Sequence, residues 1–223
     1  MMKVEIWGDI VCPYCYIGKA RLAEALAAFA HADEVEIENR AFELDPRFDR
    51  NTVLTVAQAA ARKYGMSESE TERAERRLQK KAQDVGLSYS IERPTANTFD
   101  VHRVLRYADE FGLRRELTDR VYRANFAGER NVFDHESLIE LAAEVGLDGD
   151  GVRKVLDGDA YAAEVREEAR TAKRRGLSTV PYFLIDGRVE VSGARSVETF
   201  LAALDQAWEA GRSAPTDQVS ASS

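Results

Sequence analysis

Cysteine and histidine are scarce: two cysteines and three histidines occur in 223 residues. Secreted domains that depend on disulfides spread their cysteines along the chain to close long loops. Here both thiols lie in one tetrapeptide, Cys12-Pro13-Tyr14-Cys15, and a bridge between them would add little stability through chain entropy. A structural zinc site needs two further ligands, and His31, His102 and His135 are isolated from one another, so no metal is expected. Long apolar runs are missing as well. None approaches the ~18 residues of a membrane span, and Glu5 and Asp9 interrupt the start, so no signal peptide is read after Met1. Positive charge is in deficit, with 31 Lys and Arg against 39 Asp and Glu, a formal charge of −8 and an isoelectric point near 5.1. That withholds the broad basic footprint of a nucleic-acid or anionic-membrane binder. The expectation is a cytoplasmic globular protein with neither partner. Its 44% hydrophobic residues suffice for a core without staples.

What is present has a clear order. Lys3 to Trp7 alternates polar and apolar residues and predicts a strand ended by Gly8-Asp9. From about Pro13 to Phe29, the stripe Leu22, Leu26 and Phe29 predicts a helix. Val35 to Glu38 alternates again and runs towards Phe42. From Thr52 to about Gly176 the pattern is helical, with one weak strand candidate at Tyr89–Ile91. Ser67 with Glu70 reads as a capping box opening a charged helix to Gly86, and Glu68 to Lys81 reads as its solvated face. Asn97 with Asp100 is expected to cap the next helix, and Asp134 a third that stops at Gly146. A polar helix is expected from Tyr161 to Arg175, ending at Gly176. Strands return at Pro181–Ile185 and Val189–Val191 around Asp186-Gly187, a type I′ hairpin pair. A last helix follows Ser196, and a tail from about Arg212 reads as disordered. Two distant strand-bearing segments most economically share one sheet. This predicts an α/β domain from 1–48 and 158–211 with a helical insertion at 49–157 and a tail at 212–223.

The cysteines carry the chemistry. At i and i+3 around a helix start their sulfurs can approach within bonding distance. Pro13 suits the first helical turn, where its missing N–H costs nothing. Cys12 then lies beside unpaired N–H groups and the positive end of the helix dipole, which favour the thiolate and make it the attacking nucleophile. Cys15, one turn in, is placed to resolve a mixed disulfide. The alternatives are half of a zinc site, which lacks ligands, or two unrelated buried thiols, which the helix-start position argues against. His102 stands beside the apolar stripe Val101, Val104 and Leu105. It reads mainly as a structural histidine, with site lining or proton transfer as the functional alternative. Glu5, Asp9 and Tyr14 are further groups able to tune the site. On the residues alone, Val180-Pro181 reads as an ordinary strand-start proline.

Three motifs together carry a resemblance. Trp7-Gly8-Asp9-Ile10-Val11-Cys12-Pro13-Tyr14-Cys15-Tyr16-Ile17-Gly18 opens it, and Asn97-Thr98 and His102-Arg103 continue it. Gly176, Val180-Pro181-Tyr182-Phe183 and Ser192-Gly193-Ala194-Arg195 end it. The chain resembles the DsbA-like branch of the thioredoxin superfamily, and more closely the cytosolic FrnE-like oxidoreductases, from Lys3 to Trp208. The family's usual glutamine after Gly-Ala is Arg195 here. The resemblance implies a thioredoxin-like fold with a large all-helical insertion over the active site. It also implies a cis bond before Pro181 facing the dithiol, and a substrate groove made by Pro13, Tyr14, Val180 and Pro181. The expected activity is thiol-disulfide exchange or disulfide isomerisation through Cys12 and Cys15. Protein or small-molecule thiols and disulfides, glutathione among them, are the expected partners, and no metal or organic cofactor is needed. Relatives that isomerise small aromatic compounds with glutathione form the alternative, but they typically carry serine at the position of Cys12. A holdase or scaffold is the non-enzymatic alternative.

Overall fold

The computed structural model describes residues 1–213. Strand β1 (Met2–Gly8) leads into helix α1 (Pro13–Ala28) and strand β2 (Val35–Ala41). Strands β5 (Tyr182–Ile185) and β6 (Val189–Ser192) and helix α9 (Val197–Ser213) close the described chain. The four strands form one sheet in the order β2-β1-β5-β6. β1 runs parallel to β2, from Met2 opposite Val35 to Gly8 opposite Ala41, and antiparallel to β5, with Ile6 opposite Phe183. This is the expected α/β, thioredoxin-like architecture interrupted by helices between β2 and β5.

Alternation along the strands sorts the core into two layers. Val4, Ile6, Phe183 and Ile185 face α1 and α9, where they pack with Leu22, Ala25, Phe29, Phe200 and Leu204. Trp7 and Leu184 belong to the opposite core, shared with Ile10, Ile17, Val104, Leu117, Val121 and Phe126. The β5–β6 turn places Asp186 at φ 51° and Gly187 at φ 67°, the pair of left-handed residues a type I′ turn requires.

The inserted elements are α2 (Val56–Tyr64), α3 (Glu68–Gln83), α4 (Phe99–Ala108), α5 (Arg114–Ala127), α6 (His135–Glu144), α7 (Gly149–Asp157) and α8 (Ala162–Arg174). The Ser67–Glu70 capping box and the Asp134 cap are both present. Several details differ from expectation. Two three-residue strands, β3 (Val53–Thr55) and β4 (Pro94–Ala96), pair in a small ribbon of their own, too short to show a period in sequence. The Tyr89–Ile91 segment is no strand. Tyr89 is buried and its hydroxyl donates to Glu75 Oε2 at 2.8 Å, so its apolar character serves packing. Helix α3 stops at Gln83, three residues before Gly86. Its charged face is not wholly solvated: Glu75 is buried and accepts a 2.6 Å bond from Arg93. Asn97 does not cap α4 as expected. Its side chain accepts from the Phe99 N–H, and Asp100 instead accepts from Arg103. Helix α9 extends through Arg212, where the tail was expected to begin. The rest of that tail, 214–223, lies outside the described residues.

Two buried arginines lock the inserted helices. Arg103 donates to the carbonyls of Val155, Gly158 and Ala160 as well as to Asp100. Arg114 on α5 grips Glu168 on α8 through two bonds of 3.0 and 2.8 Å, and Glu168 also accepts the Ala41 N–H at the end of β2.

Candidate active site

Cys12 is the N-cap residue of α1 and Pro13 its first helical residue. The backbone N–H groups of Tyr14 and Cys15 point at the Cys12 sulfur, and the N–H groups of Cys15 and Tyr16 bond the Cys12 carbonyl. Both cysteines are free thiols. The Cys12 pKa lies below that of an ordinary thiol, chiefly because the Cys15 thiol donates to its sulfur. Those two N–H groups add to the effect, while burial and the Asp9 charge oppose it. The Cys15 pKa lies well above the ordinary value, because burial and the neighbouring Cys12 sulfur both penalise a second thiolate.

Exposure does not separate the pair as the sequence suggested. Cys12 is 5% exposed and Cys15 1%. The helix start is covered from the far end of the chain, where the Cys12 thiol lies 3.7 Å from the Val180 carbonyl. The Val180–Pro181 bond is cis. Gly18 lets α1 approach this turn, since a Cβ there would come within 3.0 Å of the Pro181 ring. The asymmetry between the thiols comes from the burial of Cys15 and from the hydrogen bond that Cys12 accepts from it.

Cys12, Cys15, Pro13, Val180 and Pro181 thus converge. Tyr14 turns outward, 43% exposed, with the Lys81 ammonium over its ring. Beside Pro13 a cavity of about 560 Å³ opens between the loop after β2, α2, α3 and the β3–β4 ribbon. Val11, Leu44, Phe48 and Met66 line it, along with Arg47 and Arg62. That volume suits a small-molecule ligand. Arg195 is occupied with its own turn, donating to the Ser192 carbonyl, and Glu5 pairs with Arg40. Among the described residues no group of three or more His, Cys, Asp or Glu side chains converges as a metal centre would require.

Below the thiols lies a polar layer in which Tyr122 and Asn125, which the sequence did not point out, join Asp9 and His102, which it did. The Tyr122 hydroxyl donates to the Asp9 carbonyl at 3.0 Å, lies against Cys15, and has its pKa pushed well up by burial. Asn125 donates to the Ile10 carbonyl at 3.1 Å. Gly8 leaves room for this contact, since a Cβ there would sit 3.1 Å from the Tyr122 oxygen and 3.4 Å from the Cys15 sulfur. Asp9 is 1% exposed; one carboxylate oxygen accepts the Leu44 N–H at 2.6 Å. The other lies 3.4 Å from His102 Nε2, itself buried.

Comparison with known proteins bears on the family and the fold. The family described as DSBA-like thioredoxin domain matches residues 3–205. A crystal structure of a probable DsbA oxidoreductase from Streptomyces coelicolor is 46% identical, covering 100% of this chain and 96% of its own, with a TM-score of 0.92. Two structures share the fold at 18% identity. The 2-hydroxychromene-2-carboxylate isomerase has a TM-score of 0.69 and coverages of 94% and 98%. The cytosolic disulfide reductase DsbM from Pseudomonas aeruginosa has a TM-score of 0.62 and coverages of 94% and 97%, and its structure is also known with GSH. The chain belongs to the DSBA-like thioredoxin-domain family.

Proposed function

We propose, from membership in the DSBA-like family, that this protein exchanges thiols and disulfides through Cys12 and Cys15. The observation that carries the reading is geometric: Cys12 caps α1 with Cys15 one turn in, and the cis Val180–Pro181 turn lies against the Cys12 sulfur. The Cys12 thiolate attacks a substrate disulfide and forms a mixed disulfide, expelling one substrate thiolate. Cys15 loses its proton and attacks the Cys12 sulfur, which closes the Cys12–Cys15 disulfide and releases the second substrate thiol. Two electrons pass from the dithiol to the substrate, and the reverse sequence oxidises a substrate dithiol. Val180 and Pro181 flank the attacking sulfur, and the cavity beside Pro13 receives the body of the substrate. The partners are protein or small-molecule thiols and disulfides, and glutathione is a candidate because a family fold is known with GSH. A cytoplasmic setting belongs to this proposal, since the thiol pool there would return the pair to the dithiol.

Single replacements test the roles. Cys15→Ser keeps the attack and removes the resolving thiol, so a covalent complex with substrate persists on a non-reducing gel. Cys12→Ser forms none. A complex trapped by Cys12→Ser alone would reverse the roles. Indifference to both changes would favour a scaffold, and turnover of an aromatic substrate with glutathione but no trapped complex would favour the isomerase.

A further inference from the structure

Resolution requires Cys15 to lose a proton in a place bulk water does not reach, so the proton must pass to a neighbouring group. A small cavity of about 20 Å³ is lined by Cys15, large enough for one water molecule. Arg40 and Arg114 are guanidinium ions already paired with Glu5 and Glu38 and with Asp109 and Glu168. Burial pulls the Lys19 pKa down, but Asp119 at 3.1 Å opposes this, and the ammonium also donates to Asn39 at 2.8 Å, so its protons are already engaged. The Tyr122 and Thr118 hydroxyls give their protons to the carbonyls of Asp9 and Arg114. His102 lines the same cavity. Its Nε2 and the facing Asp9 Oδ1 are both buried without a hydrogen-bond partner, 3.4 Å from each other. Glu43, at the loop after β2, is the other carboxyl that acts electrostatically on this pair, and burial pushes its pKa up.

We infer that His102, backed by the Asp9 carboxylate, is the base that accepts the Cys15 proton during resolution. This rests on the dithiol reading above. The Cys15 S–H proton moves across the cavity to the imidazole, and the sulfur's freed electron pair forms the bond to Cys12. The bond between Cys12 and the substrate sulfur breaks, and its electrons leave on the substrate as a thiolate. The imidazolium returns its proton to that thiolate, so no proton is created or lost. Asp9 then has a purpose that its effect on Cys12 alone does not explain. A buried carboxylate opposes both thiolates, yet it compensates the charge that the imidazole gains.

An aromatic disulfide with a coloured thiol product, 5,5′-dithiobis(2-nitrobenzoate), separates the steps in the full-length protein. The first equivalent released reports Cys12 attack and the second reports resolution by Cys15. His102→Gln should slow the second release, relative to the first, about 100-fold near neutral pH. In that variant the second rate should climb about tenfold per pH unit, since hydroxide alone then generates the Cys15 thiolate. The wild-type rate should climb less steeply. Asp9→Asn should also slow the second release while speeding the first, and it decides the question if the glutamine variant does not fold. A second release with wild-type rate and pH slope in either folded variant would overturn the inference. Absence of the first release in the wild type would instead sink the dithiol reading.

Discussion

Replacing Glu168 with alanine removes the carboxylate through which α8 holds both α5 and the end of β2. Arg114, 4% exposed, would lose a two-point partner and keep only Asp109 at 2.9 Å. Ala41, 1% exposed, would lose the acceptor 2.6 Å from its N–H. Stranding one member of a buried ion pair costs about 3–5 kcal/mol, and the remaining Asp109 contact argues for the lower part of that range. An unpaired buried N–H adds about 1–3 kcal/mol, giving a total of roughly 4–7 kcal/mol. For a chain of this size each kcal/mol shifts the melting temperature by roughly 2–4 °C, so calorimetry should show a fall of more than about 8 °C. The acid limb supplies a second reading. Burial pushes the Glu168 carboxyl up, but the Arg114 pair and the Ala41 N–H outweigh it and hold the pKa below its ordinary value. A depressed carboxyl stabilises the fold above its unfolded pKa of about 4.3, and that stability is lost as pH falls through the folded value. Glu168→Gln keeps the shape without the charge, so its deficit against the wild type should narrow as pH drops below about 4. A melting temperature within ~2 °C of wild type for the alanine variant, or a glutamine deficit independent of pH, would refute the clamp.

Three further outcomes are expected. Alkylation of Cys12 in Cys15→Ser should rise with pH through a midpoint below the free-thiol value of about 8.5. In Cys15→Ala, which has no donor to the Cys12 sulfur, the midpoint should move up; equal midpoints would deny the Cys15 hydrogen bond its part. Gly8→Ala places a Cβ 3.1 Å from the Tyr122 oxygen and should cost about 1–3 kcal/mol in urea unfolding, so a neutral result would mean that Tyr122 yields freely. Arg103→Ala leaves the carbonyls of Val155, Gly158 and Ala160 without their donor. It should lower stability by at least about 2 kcal/mol, and a loss below ~0.5 kcal/mol would show these contacts to be idle.

How far the sequence could be read depended on how far apart the interacting residues lie along the chain. The Pro13 helix start, the Asp134 cap and the Asp186-Gly187 turn are local arrangements, and each stands as read. The shared sheet was legible because two strand-bearing segments flanked a long helical stretch. Strands β3 and β4 escaped because three residues make no period. The cover over Cys12 comes from Val180, 168 residues away, and Tyr122 reaches Asp9 across 113 residues. In sequence Tyr122 is simply an apolar position of a helix. His102 illustrates the limit most directly. Its place beside Val101, Val104 and Leu105 correctly signalled burial, and burial alone argued for a structural role. The fold supplies what periodicity cannot encode, a buried carboxylate from the β1–α1 loop facing the imidazole and a thiol across the same small cavity. One trace was there to be read, since Asp9 stands between the strand and Ile10-Val11 at a place where an unpartnered charge would be costly. A buried acid requires a partner, and a histidine on an apolar helix stripe was available to be one.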